Sequence, residues 1–249
     1  MLSVIIITKN EAENIERCLK SVAWADEIII VDSGSTDRTI EIASEYTENI
    51  FSGDWKGYGI QKQRALMQVT GDWVLNLDAD ESVTPELQKE IQAAVLSKTI
   101  SAYRIPIRLH FYDKTLKHTL SPSRRIRLFK RAGAHYSDDI VHERIILPDG
   151  AKVAQLCEYI LHYSYRDISH ALSKMNQYSS FSAKMRLSEN APPMFLSVLF
   201  SAGWMFVRTF IFQLGFLDGK SGLILSIMSM EAAYYRGLKQ LYPDQEKID

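Results

Sequence analysis

The sequence predicts an α/β fold, in which a mostly parallel sheet is flanked by helices and followed by a C-terminal helical extension. In the first half of the chain, short apolar runs rich in β-branched residues alternate with segments of helical spacing. This alternation is typical of parallel sheets, whose strands are joined by crossover helices. Beyond about residue 165 the strand-like runs stop while helical spacing continues. We therefore expect a first domain over residues 1–165 and a helical extension over residues 166–249.

The individual elements follow from these patterns. Predicted strands cover residues 3–8, 27–32, 50–51 and 72–77, and predicted helices cover residues 11–22, 36–46 and 59–69. The apolar positions of the first predicted helix share one face: Ile15, Cys18, Leu19 and Val22. Thr36 or Asp37 is the expected N-cap of the second. Thr84 followed by Pro85 opens a further helix, because proline suits the first helical position.

Composition excludes some classes of function. The 249 residues include 29 basic and 30 acidic side chains, which give a net charge of −1 and do not suggest a broad nucleic-acid surface. The two cysteines, Cys18 and Cys157, fit no metal-binding spacing, so a reducing compartment is expected. The N-terminal apolar run lacks a preceding basic region, so it is interpreted as a strand and not as a signal peptide.

Polar residues follow three of the predicted strands, in the stretches Thr8–Glu11, Asp32–Ser35 and Asp78–Glu81. In parallel α/β sheets, ligands bind beyond the carboxyl ends of the strands, and these ends lie along one edge. Polar residues also end strands that carry no site, so one such stretch alone decides little. Three stretches at the same edge predict a binding site there.

The third stretch carries closely spaced carboxylates. Asp78 and Asp80 stand two apart directly after an apolar strand, and can point to one locus if the backbone turns between them. Hard oxygen ligands favour Mg²⁺ or Mn²⁺, which keep positions open for phosphate oxygens. Glu81 either orients this site or begins the next helix. A divalent cation that binds a diphosphate is the expected ligand.

Three stretches together resemble a known family: SVIIITKNEAENIERCLKSV, EIIIVDSGSTDRTIEIA and GDWVLNLDADE. They resemble the nucleotide-sugar glycosyltransferases of family 2, and they cover residues 1 to about 90. The resemblance implies the GT-A fold, a Rossmann-like sheet flanked by helices, together with an inverting mechanism. The continuation RRIRLFKR, then VHERI, and the chain length resemble the bacterial lipopolysaccharide core β-1,4-glucosyltransferase branch. That branch transfers glucose from UDP-glucose to an inner-core heptose.

The resemblance also implies roles for individual residues. The nucleotide-sugar would contact Thr8, Asn10, Glu11, Asp32, Ser33, Ser35, Arg64, Asp78, Ala79 and Arg127. The cation, Mg²⁺ or Mn²⁺, would be held by Asp80, with Asp78 and His162 as further ligands. Arg64 also fits a surface arginine, and His162 a packed strand histidine. Arg124, Arg125 and Arg127 suit an anion, either the diphosphate or a phosphorylated core, or else form a solvated basic face.

An inverting transfer needs one general base on the acceptor hydroxyl. Many relatives carry it in a Glu-Asp pair, and this chain lacks both that pair and the common QxxRW stretch. Our candidate is Glu143, with Asp139 and Asp138 as further candidates and His142 as an orienting group. Glu143 also fits a solvated carboxylate on a strand.

The C-terminal extension contains a run that is apolar almost all round, Met194–Leu217, interrupted by Arg208 and Gln213. It fits a core or oligomer-interface helix pair, an element on a membrane surface, or a membrane span. The basic residues Lys184, Arg186 and Arg208 suit an anionic membrane surface. The expected location is therefore the cytoplasm, peripheral to the inner membrane, and a homo-oligomer is the other reading of this run.

Other functions remain open at this stage. The acceptor could belong to another cell-surface polysaccharide or be lipid-linked. A nucleotidyltransferase also binds nucleotides and Mg²⁺ on an α/β fold, but usually through a glycine-rich basic loop, and the residues after the first strand contain no glycine. A non-catalytic nucleotide-sugar binding module is the third reading, and the carboxylates at the strand ends speak against it.

Overall fold

A computed structural model describes residues 1–112, 114–120, 123–137, 143–189 and 192–243. It confirms the α/β fold: a mixed sheet with a parallel core is flanked by helices, and the C-terminal part is helical. The chain forms two compact units. Unit 1 comprises Met1–Arg108 with Ser123–Tyr163, and unit 2 comprises Leu109–Pro122 with Ser164–Asp249. The helical unit thus takes in residues 109–122 as well.

The strands are β1 (Leu2–Thr8), β2 (Glu27–Asp32), β3 (Ile50–Ser52), β4 (Trp73–Asp78), β5 (Glu81–Val83), β6 (Ala102–Phe111), β7 (Lys114–Thr115), β8 (Ser123–Lys130), β9 (His135–Tyr136), β10 (Ile145–Ile146), β11 (Val153–Gln155) and β12 (Ile160–His162). The helices are α1 (Ile15–Val22), α2 (Thr39–Ala43), α3 (Tyr58–Gln68), α4 (Pro85–Ala94), α5 (Ile168–Glu189), α6 (Phe195–Val207) and α7 (Lys220–Leu241). A π-helical turn (Arg208–Phe212) and a 3₁₀ turn (Gly215–Asp218) join α6 to α7.

The sheet order places the predicted strand ends side by side. Along the sheet the order is β3-β2-β1-β4-β8-β6-β12-β5, and β1 to β4 run parallel. Thr8 pairs in register with Asp32, and Ile7 pairs with Asp78. The carboxyl ends of β1, β2 and β4 therefore form one edge, as the sequence predicts. Strand β8 is antiparallel to both β4 and β6.

Strand β1 is buried along its whole length, which explains its continuous apolar run. Val4 and Ile6 pack on the face that α1 and α4 cover, whereas Ile5 and Ile7 pack on the face that carries Ala65 of α3. A strand covered on both sides needs apolar residues at every position. The core thus holds the three strand ends at fixed positions.

Two helices are shorter than the sequence predicts. Helix α1 begins at Ile15 and not at Glu11, because residues 12–14 form a turn in which the N–H groups of Asn14 and Ile15 both donate to the carbonyl oxygen of Glu11, at 2.9 and 2.8 Å. Helix α2 covers only Thr39–Ala43, with Arg38 at the N-cap position. Asp37 instead accepts a hydrogen bond from the N–H of Thr39 and one from the N–H of Ala12. The residues before α2 are thus held in loop contacts.

Glu81 begins strand β5 and not a helix, and it is buried at 1% exposure. The helix that the sequence predicts after it begins four residues further on, at Pro85. There Thr84 caps α4 by accepting the N–H of Leu87 at 3.2 Å, with Pro85 at the first helical position. The alternative that Glu81 begins a helix is therefore wrong, and the contacts of its side chain are described below.

In unit 2, the turn before α7 is organised by one buried carboxylate. Asp218 accepts hydrogen bonds from the backbone N–H groups of Lys117, His118 and Thr119 at 2.7–3.1 Å. Close packing at the start of α7 requires glycine, because a Cβ on Gly222 would lie 1.9 Å from the carbonyl oxygen of Gly215. These contacts join residues 117–119 to the helical unit.

Helix α6 and the π-helical turn that follows it are largely exposed. The 18 residues Phe195–Phe212 are long and apolar enough to cross a membrane by length and composition, and 17% of them are buried. Val198 and Ala202 face the rest of unit 2. The opposite face carries exposed apolar side chains: Phe195, Leu196, Leu199, Phe200, Trp204 and Val207. The reading as a core helix is therefore wrong for this segment.

Candidate active site

The loops that follow β1 and β2 are joined by hydrogen bonds at the sheet edge. The N–H of Asn10 donates to Ser35 Oγ at 2.8 Å, and Asn10 Oδ1 accepts the N–H of Thr36 at 2.8 Å. The N–H of Glu11 donates to Thr39 Oγ1 at 2.8 Å. Asn10 makes these contacts from its left-handed backbone conformation, which asparagine tolerates better than most residues. The structure therefore brings together the first two predicted polar stretches.

Asp32 shapes the second loop. Its Oδ2 accepts the N–H groups of Gly34 and Ser35, both at 2.9 Å, and its Oδ1 accepts the hydroxyl of Ser35 at 2.5 Å. Gly34 has a φ of 85°, a conformation in which a side chain is strained. The buried carboxylate thus fixes the turn that presents Ser33 and Ser35.

A glutamine that the sequence reading missed connects Ser33 to Arg64. Gln61 is fully buried on α3, and its Nε2 donates to Ser33 Oγ at 2.6 Å. Its Oε1 accepts Arg64 Nη1 at 2.7 Å, and Arg64 also forms an ion pair with Asp54 at 2.7 Å. Arg64 therefore lies one side chain away from the second polar stretch, with its guanidinium engaged by protein groups.

The centre of the site is a cluster of five charged side chains: Lys62, Asp78, Glu81, Arg127 and Glu143. Lys62 Nζ lies 3.0 Å from Asp78 Oδ1 and 2.7 Å from Glu143 Oε1. Arg127 Nη2 lies 2.8 Å from Asp78 Oδ2 and 2.7 Å from Glu81 Oε1. Glu81 Oε2 also accepts the N–H of Asp78 at 2.9 Å. The side chains of Lys62 and Arg127 therefore connect three carboxylates, which are contributed by β4, by β5 and by the residues before β10.

The electrostatics of the cluster keep Asp78 ionised. Burial raises the pKa of this carboxyl, but the positive charges of Arg127 and Lys62 outweigh burial and hold the pKa well below its ordinary value. The pKa of Glu81 is raised to about 7, because burial and the negative charge of Asp78 outweigh the positive charge of Arg127. Asp78 is thus a permanent anion at neutral pH, fixed by one cation at each oxygen.

Arg127 is paired within the protein. Its guanidinium is buried and its Nη2 donates to Asp78 and Glu81, whereas its Nε has no partner among the described residues. The expected contact of Arg127 with a diphosphate stays a prediction. Arg124 and Arg125, on the same strand, are exposed. Burial of β8 begins beyond these two arginines.

Lys62 is the second functional residue that the sequence reading missed. It stands three and four residues before Ala65 and Leu66, on the buried face of α3. A lysine on the apolar face of a predicted helix is the signal that could have singled it out. Its partners, one in β4 and one in the stretch before β10, could not be identified from spacing.

Asp80 and His162 form a second pair beside the charge cluster. Asp80 Oδ2 lies 3.1 Å from His162 Nε2, and the N–H of Tyr163 donates to the carbonyl oxygen of Asp80 at 2.8 Å. The register of β5 and β12, which pairs Glu81 with His162, brings them together. Burial lowers the pKa of His162, but the hydrogen bond and the charge of Asp80 outweigh burial and raise it.

This pair fits a divalent cation. An octahedral Mg²⁺ holds neighbouring ligand atoms about 2.9 Å apart, close to the separation of Asp80 Oδ2 and His162 Nε2. A bound cation would displace the imidazole proton, because histidine ligates metals in its neutral form. The oxygens of Asp78 are directed at Lys62 and Arg127, so the described residues contain no group of three metal-ligating side chains. The chain would supply two ligands, Asp80 and His162.

The remaining predicted residues differ in their surroundings. Thr8 is buried beside Asp32, and its Oγ1 has no hydrogen-bond partner in the described part of the chain, which leaves it available to a ligand. Ala79 is buried in the apolar core. Glu143 lies in the charge cluster. The other candidates for the base and its orienting group, Asp138, Asp139 and His142, lie outside the described residues.

Comparison with known proteins agrees with this arrangement. The family model described as "Glycosyl transferase family 2" matches residues 3–147, more than half of the chain. The chain belongs to glycosyltransferase family 2. The match spans the three strand ends and the charge cluster, whereas His162 lies beyond the matched residues.

Two full-length relatives illustrate the range of the family. This glycosyltransferase is 32% identical over 247 residues to an "Uncharacterized glycosyltransferase" of Rickettsia bellii. That alignment covers 94% of this chain and 84% of the relative. It is 29% identical over 261 residues to the "Lipopolysaccharide core biosynthesis glycosyltransferase LpsC" of Rhizobium meliloti, which covers 98% and 95% of the two chains.

The fold is also seen in a solved structure of another protein. The crystal structure of S. aureus TarS 1-349 in complex with UDP-GlcNAc has a TM-score of 0.50 and 17% identity, and the similarity covers 94% of this chain and 81% of that one. At this identity the likeness supports the GT-A fold of the present glycosyltransferase, and its ligand is a property of TarS.

Proposed function

We propose that this glycosyltransferase transfers glucose from UDP-glucose to a heptose of the lipopolysaccharide inner core, with inversion at the anomeric carbon. The observation that carries the proposal is the convergence of Asp80–His162 and the Lys62–Glu143 pair beside the carboxyl ends of the parallel strands. The first arrangement suits a cation that binds a diphosphate, and the second supplies a carboxylate. The relative LpsC, named for lipopolysaccharide core biosynthesis, supports the choice of acceptor.

The donor would lie along the edge formed by the first two loops. Thr8 offers a buried hydroxyl, and the joined loops of Asn10, Glu11 and Ser35 offer fixed polar groups for a nucleoside. Such a wall suits a nucleotide, whose base and ribose are recognised by a few directed hydrogen bonds. The TarS structure, which shares the fold, is a complex with UDP-GlcNAc, and this supports UDP as the nucleotide.

Mg²⁺ or Mn²⁺ bound by Asp80 and His162 would neutralise the charge that develops on the leaving UDP. Asp80 contributes a carboxylate oxygen and His162 an imidazole nitrogen to this site. Asp78 is paired with Lys62 and Arg127, and its negative charge keeps these two side chains ordered. The chain's contribution to this step is therefore to orient the two ligands.

Glu143 is the proposed general base. Its carboxylate removes the proton from the acceptor hydroxyl while that oxygen bonds to the anomeric carbon, and the bond between this carbon and UDP breaks on the opposite side. One displacement gives one inversion. The side chain of Glu143 is 12% exposed, so it is screened from bulk water and yet reachable from the site.

The proposal is tested by UDP release. Purified enzyme is incubated with UDP-glucose, UDP-galactose or UDP-GlcNAc, with Mn²⁺, Mg²⁺ or chelator, and with or without heptose-containing core lipopolysaccharide. We expect release that requires the cation, UDP-glucose and the core acceptor together. Release with another sugar or another glycan would replace the donor or acceptor assignment, and release unaffected by chelator would contradict the cation.

We further propose that unit 2 docks on an anionic membrane surface. Between Ser164 and Pro243 the chain carries eight lysines and arginines against four aspartates and glutamates, although the whole chain has a net charge of −1. The exposed face of α6 holds no charged residue from Phe195 to Val207. A second copy would place two positively charged units together, whereas an anionic lipid surface complements both the charge and the apolar face. The enzyme would then work at the cytoplasmic face of the inner membrane, peripheral to it.

Vesicle sedimentation tests this docking. The two most exposed aromatic side chains of α6 are Phe200 (78%) and Trp204 (56%), so Phe200→Ser with Trp204→Ser removes apolar surface without removing core. We expect at least about tenfold weaker binding to phosphatidylglycerol vesicles, since each large apolar side chain contributes about 1.5–3 kcal/mol when buried. Leu96→Ser, at an equally exposed position of unit 1, is the matched control. A dimer that dissociates in the double variant, without vesicle binding by the wild type, would replace the membrane with a second copy.

A further inference from the structure

Lys62 is a buried amine that the reaction described above does not use directly. It is 4% exposed on α3, and its Nζ contacts one oxygen of Asp78 and one oxygen of Glu143. Burial of an ammonium group costs free energy unless it is paired. Two carboxylates compensate for this cost, and they come from the donor side of the site and from the proposed base.

The two carboxylates depend on Lys62 to different degrees. Asp78 has a second cationic partner, because Arg127 contacts its other oxygen at 2.8 Å. For Glu143, Lys62 is the cationic partner that the described residues provide. Loss of Lys62 would therefore leave Asp78 held by Arg127 but would release the carboxylate of Glu143.

The local backbone gives Glu143 little support of its own. It precedes β10, in a stretch that is neither helix nor strand, whereas Lys62 stands in the middle of the eleven-residue helix α3. Side chains carried by loops are held less accurately than those on helices and strands. An ion pair from a packed helix compensates for this lack of support.

We propose that Lys62 is a positioning residue, which holds the Glu143 carboxylate in place and aims it at the acceptor hydroxyl. The proposal rests on the assignment of Glu143 as general base. One carboxylate oxygen accepts the Lys62 ammonium, and the other receives the proton from the acceptor. Through its second contact, with Asp78, Lys62 ties the base to the strand that carries the donor-side carboxylates.

The test is a double-mutant cycle. Lys62→Met, Glu143→Gln and the double variant are compared by kcat, by KM for the donor and by calorimetric binding of UDP. We expect Lys62→Met to lower kcat about 10²-fold, the scale of a misplaced catalytic group, with UDP affinity changed less than twofold. The double variant should be no slower than Glu143→Gln, because residues that act through one another are not additive.

Two further variants separate positioning from stability. Lys62→Arg keeps the charge and shifts the donor atoms, so it should fold and lose less kcat, and the same cycle with Glu143→Gln applies to it if Lys62→Met does not fold. Lys20→Met is the matched control, because Lys20 is an exposed lysine paired with Glu16 at 2.6 Å. We expect this control to match wild type.

The outcomes separate this proposal from the function on which it rests. Full activity of Lys62→Met alongside an inactive Glu143→Gln would overturn the positioning role and leave the base assignment intact. Additive losses in the double variant, or lost UDP binding with kcat retained, would also overturn it. An active Glu143→Gln would show instead that the base assignment fails.

Discussion

Asp80→Asn is expected to lower kcat/KM for transfer by at least about 10³-fold. The substitution keeps the size of the side chain and one oxygen but removes the negative charge that faces His162 Nε2 at 3.1 Å. A catalytic cation contributes several kcal/mol to the transition state, and each 1.36 kcal/mol corresponds to a factor of ten. Loss of the charged ligand should therefore remove most of the activity together with its dependence on Mg²⁺ or Mn²⁺.

The measurement is UDP release by Asp80→Asn over a range of cation concentrations. Asp72→Asn is the matched control, since Asp72 directly precedes the same strand β4 at the opposite end and its side chain is 85% exposed. Thermal unfolding of both variants checks that the fold is intact. Normal turnover of Asp80→Asn would contradict the assignment of the cation to Asp80 and His162.

Glu143→Gln is expected to lower kcat by about 10²- to 10⁴-fold, the range that general base catalysis contributes. Glutamine preserves the shape of the side chain and a hydrogen-bond acceptor for Lys62, but it cannot take a proton from the acceptor hydroxyl. Binding of UDP-glucose should remain, because the donor-side contacts of Asp78 with Arg127 do not involve Glu143. Timed transfer assays measure kcat, and calorimetry separately measures the binding of UDP-glucose.

Three further variants are needed to interpret the result for Glu143→Gln. Glu16→Gln removes an exposed glutamate that also pairs with a lysine, and it should behave as wild type. Asp139→Asn and Asp138→Asn test the other carboxylates that the sequence offers as the base. If either is inactive while Glu143→Gln turns over normally, the base is that aspartate.

The sequence was informative wherever a pattern is local. The run Ser3–Thr8 must be covered on both sides, and β1 is buried throughout. The alternation of such runs with helical segments places the polar ends of β1, β2 and β4 at one edge, and the registers of Thr8 with Asp32 and Ile7 with Asp78 follow from it. Because the strands are parallel, the three separate stretches lie at one edge of the sheet and predict a single site.

Contacts between residues distant in sequence could not be predicted. Asp37 accepts the N–H of Ala12, and helical periodicity gives no sign of this contact. The internal pairs of Arg127 were missed because nothing in RRIRLFK shows that its guanidinium meets Asp78 and Glu81, which lie more than 40 residues earlier in the chain. Lys62 was missed for the same reason, since its two partners are contributed by β4 and by the residues before β10.

The hydrogen bonds between the loops after β1 and β2 have a consequence for the thermodynamics of donor binding. Asn10 ties to Ser35 and Thr36, and Glu11 ties to Thr39, entirely through groups of the protein itself. This edge of the sheet is thus preorganised, and a nucleotide bound there as proposed would not have to order two flexible loops. Ordering of loops and side chains is one of the main entropic penalties of association. With the proposed function, the affinity for a donor nucleotide would accordingly be set by the contacts formed and by the water displaced, with little loss of conformational entropy in these loops.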